Sequence, residues 1–197
     1  MTAFTLDGGK ESIAIGTKAP KAKMKLEATD GKVMSLEDVA GANGLLVVFS
    51  CNTCPFVVGS SRGTEGWEGR YQQLYKEASK RRVGMVLINS NEAKRDNGDS
   101  MDDMIARQKE QGFTNIPYVM DQRHVIADAF GAKTTPHCFL FNSDMELVYK
   151  GAIDDNVDSK DNVTATWLID AMDASTRGQK IDPNTTKAVG CSIKRVS

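Results

Sequence analysis

The chain is poor in several of the things that would give its function away. It has two histidines, four cysteines, five prolines and two tryptophans in 197 residues. Two histidines leave little choice of imidazole ligands for a zinc or copper centre. Four cysteines are too sparse for a disulfide-stapled scaffold, so a pair set close together points to chemistry instead. The net charge is −1, which gives no basic excess to attract phosphate backbones and makes nucleic acid an unsuitable partner. No apolar run approaches the roughly 20 residues a membrane-spanning helix needs, and no membrane partner is expected. The first nine residues, Met1 to Gly9, lack the charged-then-apolar pattern of a secretory leader, which leads to the expectation of a cytoplasmic protein.

What is present is a packed globule's share of hydrophobic residues, 40%, at a length that suits one core. Residues 1–14 read as an N-terminal arm and 15–197 as a single domain. Leu45 to Phe49 is a continuous apolar run with β-branched and aromatic residues, as in a strand buried on both faces of an α/β sheet. Cys51-Asn52-Thr53-Cys54 follows directly, and then Pro55, which fits the first turn of a helix where its missing N–H would be free anyway. Cys51 is thus expected beside the free amides and positive end of a helix, a place that favours the thiolate. Cys54, three residues on, is within reach for an internal disulfide. Cys51 is predicted to attack a disulfide or an oxidant and Cys54 to resolve the adduct.

Elsewhere, Met24 to Ala28 and Val33-Met34 flank the turn signal Asp30-Gly31 and predict a small hairpin. Ser35 is placed to cap a helical turn over 36–39. Pro55 to Ser61 predicts a helix, and glycines at 59, 63, 66 and 69 predict a break somewhere in 60–66, before Trp67, Tyr71, Leu74 and Ala78 mark one face of its continuation. Val83 to Ile88 predicts a second buried strand, with ordinary turn chemistry for Asn89-Ser90-Asn91 and a surface loop over 92–100. Met101 to Gln111 predicts a helix whose Met101, Met104, Ile105 and Gln108 face the core. Residues 113–120 are extended, and 124–130 predict a short helix capped by Gly131.

Thr134-Thr135-Pro136 precedes the apolar run His137 to Phe141, a setting for a cis-proline that closes a substrate groove. Asn52, Thr53, Pro55 and Thr135 are expected to line that groove. Asn142-Ser143-Asp144 predicts a hairpin turn, and Val163 to Met172 a final helix. Cys138, in the strand after Pro136, is expected to be buried and inert. Cys191 lies in the Gly190-Cys191-Ser192 tail, where it is a candidate third redox thiol able to approach Cys51 and Cys54.

The succession strand, C-x-x-C-Pro, helix, strand, helix, Thr-Pro-strand, hairpin, helix resembles the thioredoxin fold. The leading segment Ile15 to Pro20, with Asp30-Gly31-Lys32, is similar to the N-terminal extension of the AhpC/TSA (redoxin, peroxiredoxin-like) family, in its thioredoxin-like subgroup with a C-N-x-C-P active site. Ile88 to Asn91, Gly151 to Asp155 and Gly190 to Lys194 carry the likeness further. The resemblance implies a thioredoxin-like three-layer α/β/α sandwich with a central mixed sheet and an N-terminal β-hairpin extension. It also implies Cys51 as nucleophile, Cys54 as resolving thiol, Pro136 as the cis-proline, and a thioredoxin-type electron donor. Two departures from the wider pattern bear on function. Strand 45–50 carries no acidic residue to match the buried carboxylate of thioredoxins, and the Thr-x-x-Cys spacing of peroxidases is missing at both Cys51 and Cys54. The expected function is therefore thiol–disulfide exchange with protein or small-molecule disulfides. Reduction of hydroperoxides through a cysteine sulfenic acid is the alternative, ahead of metal binding. No cofactor is expected.

Overall fold

A computed structural model describes residues 11–197. Of the expected arm, residues 1–10 lie outside the described residues. Ser12 and Ile13 dock onto the body, with Ile13 N–H donating to the Phe130 carbonyl at 3.0 Å and Ser12 Oγ to that of Gly131 at 2.9 Å.

The elements in order are β1 (Leu26–Ala28), β2 (Val33–Met34), α1 (Leu36–Val39), β3 (Leu45–Ser50), α2 (Pro55–Val58), α3 (Tyr71–Lys80), β4 (Gly84–Asn89), α4 (Met101–Gln111), β5 (Tyr118–Met120), α5 (Val125–Phe130), β6 (Thr134–Thr135), β7 (His137–Phe141), β8 (Leu147–Gly151), α6 (Trp167–Thr176) and β9 (Cys191–Ser192). Seven strands form one mixed sheet in the order β2-β1-β5-β4-β3-β7-β8. β3, β4 and β5 run parallel, and the outer strands join them antiparallel. The β1–β2 hairpin extends one edge, as the sequence predicts.

All six residues of β3 are buried, and they alternate between two cores. Leu46 and Val48 face a layer built by α2, α3, α4 and α6, through Val57, Leu74, Met104 and Leu168. Leu45, Val47 and Phe49 face the opposite layer, where α1 supplies Leu36 and α5 supplies Ile126 and Phe130. This is the three-layer thioredoxin fold, and it explains why β3 reads as an unbroken apolar run rather than an alternating one. Phe130 meets Phe49, Phe139 and Phe141 edge-on, with ring centroids 5.5, 5.2 and 5.7 Å away. Truncating such a ring to Ala typically costs about 3–5 kcal/mol.

Local sequence signals set the helix starts. Ser35 and Ser100 each form a capping box, with Asp38 and Asp103 respectively. Trp67, Tyr71, Leu74 and Ala78 are all buried, as their spacing predicts. Three expectations need correction. α2 closes after one turn, at Val58, because Gly59 leaves the helix at φ +83°. Ile105, placed on the core face of α4, is 41% exposed, since Met104 and Gln108 take the inward positions. Asn89-Ser90-Asn91 and Asp99, read as turn and surface loop, are buried and belong to the site described next.

Candidate active site

The C-terminal end of β3 delivers Cys51, and the first turn of α2 fixes Cys54. Cys54 is the N-cap, with extended φ/ψ of −91° and 123°, and its carbonyl accepts the Val57 and Val58 amides at 2.8 and 2.9 Å. Pro55 occupies the first helical position, as the sequence predicts. Both sulfurs are buried, with Cys51 1% and Cys54 2% exposed. All four cysteines are free thiols.

Thr135 lies against the pair. Its hydroxyl is 3.1 Å from Cys51 Sγ, and its carbonyl is 3.1 Å from Cys54 Sγ, where it accepts from the thiol form. The Thr135–Pro136 peptide bond is cis. Thr135 was expected to line an open groove; instead it is 1% exposed and wedged between the sulfurs and the tail. Asn52 is half-buried, while Thr53 and Pro55 are exposed beside the pair.

The turn between the cysteines is held from below by a carboxylate that sequence reasoning missed. Asp99 is fully buried. Its oxygens accept from the Asn52 amide (2.7 Å), Thr53 Oγ1 (2.8 Å), Asn89 Nδ2 (2.8 Å) and Asn91 Nδ2 (3.1 Å). Asn52 Nδ2 returns a bond to the Gly98 carbonyl at 2.9 Å, and Tyr118 OH donates to Asn52 Oδ1 at 3.1 Å. Arg95 ties the ends of this loop together by donating to the Asn89 side chain (2.9 Å) and the Asp99 carbonyl (2.8 Å). With four donors on its two oxygens, Asp99 is placed to position the Cys-Asn-Thr-Cys turn. The sequence clue was three asparagines and two aspartates within Asn89 to Asp99, a density of short polar side chains next to a strand end.

The tail supplies the third sulfur. β9 pairs antiparallel with β6, setting Cys191 opposite Thr135. The Cys191 amide donates to Cys54 Sγ at 3.3 Å. The expected approach of Cys191 to the pair is therefore present in the fold. Cys138, in β7, is fully buried, and burial pushes its thiol well up.

The electrostatics of the pair involve all three sulfurs of the site. Cys54 is held down to about 5, first by the hydrogen bond from Cys51, then by the thiol and amide of Cys191 and by Thr135. Cys51 is raised, first by its hydrogen bond to Cys54, then by burial and by the negative charge of Asp99. Cys191 is pushed up to about 11, by burial first and by the bond to Cys54 second. The helix-start argument placed the thiolate on Cys51. In the fold, the helix N-cap is Cys54, the fixed backbone donor points at Cys54, and the carboxylate sits on the Cys51 side. The two sulfurs thus share one negative charge, favoured at Cys54 by the Cys191 amide and opposed at Cys51 by Asp99.

Among the described residues, no group of three or more His, Cys, Asp or Glu side chains is arranged to hold a metal ion. Among them, too, no helix is long and apolar enough to cross a membrane.

The Redoxin family model matches residues 14–166. A hypothetical protein from Sinorhizobium meliloti 1021 superposes with a TM-score of 0.82 at 29% identity, over 95% of this chain and 97% of that one. An uncharacterized conserved protein from Geobacillus kaustophilus gives 0.81 at 31% identity, over 93% of both chains. Peroxidoxin BcpB from Mycobacterium tuberculosis shares the fold at a TM-score of 0.57 and 15% identity, over 83% of this chain and 96% of that one. No curated protein matches the chain.

Proposed function

The chain belongs to the redoxin family, a group of thiol-based redox proteins, and from that premise we propose that it is a thiol–disulfide oxidoreductase working through Cys51 and Cys54. The observation that carries this reading is the geometry of the pair: two free, buried thiols at a strand end and a helix start, set against the cis Thr135–Pro136 bond, with the Thr135 hydroxyl 3.1 Å from Cys51 Sγ and the Cys191 amide 3.3 Å from Cys54 Sγ. Such a pair is ready for exchange. Cys54 attacks a substrate disulfide, one substrate sulfur leaves as a thiolate, and a mixed disulfide forms at Cys54. Cys51 then attacks Cys54, releasing the second substrate sulfur and closing the Cys51–Cys54 bond. This order is the reverse of the one the family resemblance implies. The substrate is a protein, peptide or small-molecule disulfide, and the pair is reset by a thioredoxin-type dithiol donor. Thr135, next to Pro136, positions both sulfurs, and the exposed Thr53 and Pro55 form the approach to them.

A hydroperoxidase reading has one observation in its favour. Thr135 Oγ1, 3.1 Å from Cys51, stands where a donor to a peroxidatic sulfur would be needed. Against it, the charged group acting on Cys51 is the Asp99 carboxylate, which opposes the thiolate that attacks a peroxide.

The test is to trap the mixed disulfide. With Cys51→Ser/Cys191→Ser, an oxidised peptide substrate is expected to stay covalently attached to Cys54. With Cys54→Ser/Cys191→Ser, attachment is expected to fall at least tenfold. Equal trapping at Cys51 in the second variant would restore the opposite order, and trapping in neither would remove disulfide exchange.

A further inference from the structure

The tail beyond α6 returns to the site and is fastened there on both sides. The Ile193 amide donates to the Lys133 carbonyl at 3.0 Å, and the Lys194 amide to Asn91 Oδ1 at 2.9 Å. The Ala93 amide donates back to the Lys194 carbonyl at 2.9 Å, and Arg195 Nε bonds Asp128 at 2.7 Å. Ile193 is 4% exposed. Gly190 lies so close to Thr135 that a Cβ there would run into the Thr135 carbonyl.

The consequence concerns the backbone edge of Thr134–Thr135, just before Pro136. An extended peptide would add to such an edge by strand pairing. Here β9 already occupies it, and the tail residue set beside the sulfurs is a cysteine. Cys191 is also the member of the trio that reaches solvent: it is partly exposed, while Cys51 and Cys54 are buried.

We propose that the tail is a tethered substrate of the site and Cys191 its third redox thiol, so that the disulfide passes between Cys51–Cys54 and Cys54–Cys191, the latter being the form presented to an external dithiol. The proposal rests on Cys51 and Cys54 being an exchange pair.

In the first step, Cys191 attacks Cys54 Sγ of the Cys51–Cys54 disulfide. The Cys54–Cys191 bond forms, the Cys51–Cys54 bond breaks, and the electron pair leaves with Cys51. The proton that Cys191 gives up ends on Cys51, so this step is an isomerisation with no net oxidation. In the second, one thiolate of an external dithiol attacks Cys191 Sγ and Cys54 leaves as a thiolate, the form its surrounding donors stabilise. The donor's second thiol then attacks the donor sulfur of the mixed disulfide and frees Cys191. The donor ends as a disulfide and the protein with three reduced sulfurs, two electrons having moved inward. The raised thiol of Cys191 keeps it protonated and unreactive when no disulfide lies beside it.

The test uses the full chain. Cys51→Ser is oxidised with one equivalent of diamide, its free thiols are blocked, and it is digested without reductant. The expected main product is a Cys54–Cys191 cross-linked peptide. In parallel, Cys191→Ser and Cys191→Ala are oxidised to the Cys51–Cys54 disulfide and reduced with dithiothreitol, and both are expected to be reduced at least tenfold more slowly than wild type. No Cys54–Cys191 peptide, or an unchanged reduction rate in both Cys191 variants, overturns the inference while leaving the exchange pair in place. Failure of wild type and of both Cys191 variants to close Cys51–Cys54 would remove the exchange reading and this inference with it.

Discussion

Acidity sets how the redox potential of the site must depend on pH. Reducing an ordinary disulfide takes up two protons with two electrons, which lowers the potential by about 60 mV per pH unit. Here Cys54 is held down to about 5 while Cys51 is raised above its usual range. Between pH 5 and 8, reduction therefore takes up one proton, and the slope falls to about 30 mV per unit. Below pH 5 the Cys54 thiolate is protonated and the slope steepens to about 60 mV. The absolute potential moves too. At pH 7 a site thiolate held by its surrounding donors stabilises the reduced form relative to a free cysteine, which makes the disulfide more oxidising. The assay is equilibration in dithiothreitol redox buffers from pH 4.5 to 8, with the oxidised fraction read by mass after alkylation. A uniform slope near 60 mV per unit from pH 8 to 4.5 would refute the reasoning, because both sulfurs would then be protonated throughout.

Other expectations follow from single groups. Asp99→Asn removes a charge that holds four donors and turns an amide N–H₂ toward some of them. It is expected to cost about 3 kcal/mol, a fall in Tm of roughly 6–12 °C in a domain of this size, while the Cys51 thiol becomes more acidic; thermal melts and thiolate absorbance at 240 nm check the two parts. His137 is buried in β7, and burial first, then the charges of Lys150 and Lys133, lower it to about 4. Between pH 6.5 and 4 the unfolded chain binds the extra proton, so stability should rise with pH across that window by roughly 3 kcal/mol. Denaturant titrations at pH 4.5 and 7 check this, and His137→Phe should flatten the dependence. Cys138→Ala, fully buried and away from the exchanging trio, is expected to lower stability by about 1 kcal/mol and leave the disulfide reduction rate unchanged.

Much of the fold was legible because its signals are local. The apolar run of β3, Pro55 at a helix start, the capping Ser35 and the glycine break after α2 each act within a few residues. The placement of Cys51 and Cys54 between a strand end and a helix start was legible for the same reason. What was not legible depends on contacts across the chain. Asp99 sits in an Asn-Gly-Asp segment whose composition is that of a solvated loop, and only the donors of Asn52, Thr53, Asn89 and Asn91 bring it inside. The buried carboxylate missing from β3 is thus supplied from the loop before α4, as an anchor for the turn. β9 is two residues long, too short to show any periodicity, so its pairing with β6 leaves no mark in the sequence. A helix-start argument places the thiolate on Cys51 because it sees the helix alone. Asp99 and Cys191, which also act on the pair, lie 45 and 137 residues beyond Cys54 respectively.

The central claim is that the reduced protein exchanges disulfides through Cys54 and Cys51. The most direct measurement is a pair of rates on the fully reduced chain, loss of site thiols with a peptide disulfide and, separately, with hydrogen peroxide, each repeated with Cys54→Ser. The account predicts fast reaction with the disulfide, slow reaction with peroxide, and at least a hundredfold loss of the disulfide reaction in Cys54→Ser. Fast reaction with peroxide that survives in Cys54→Ser would contradict it, and would place the chemistry on Cys51 and the Thr135 hydroxyl.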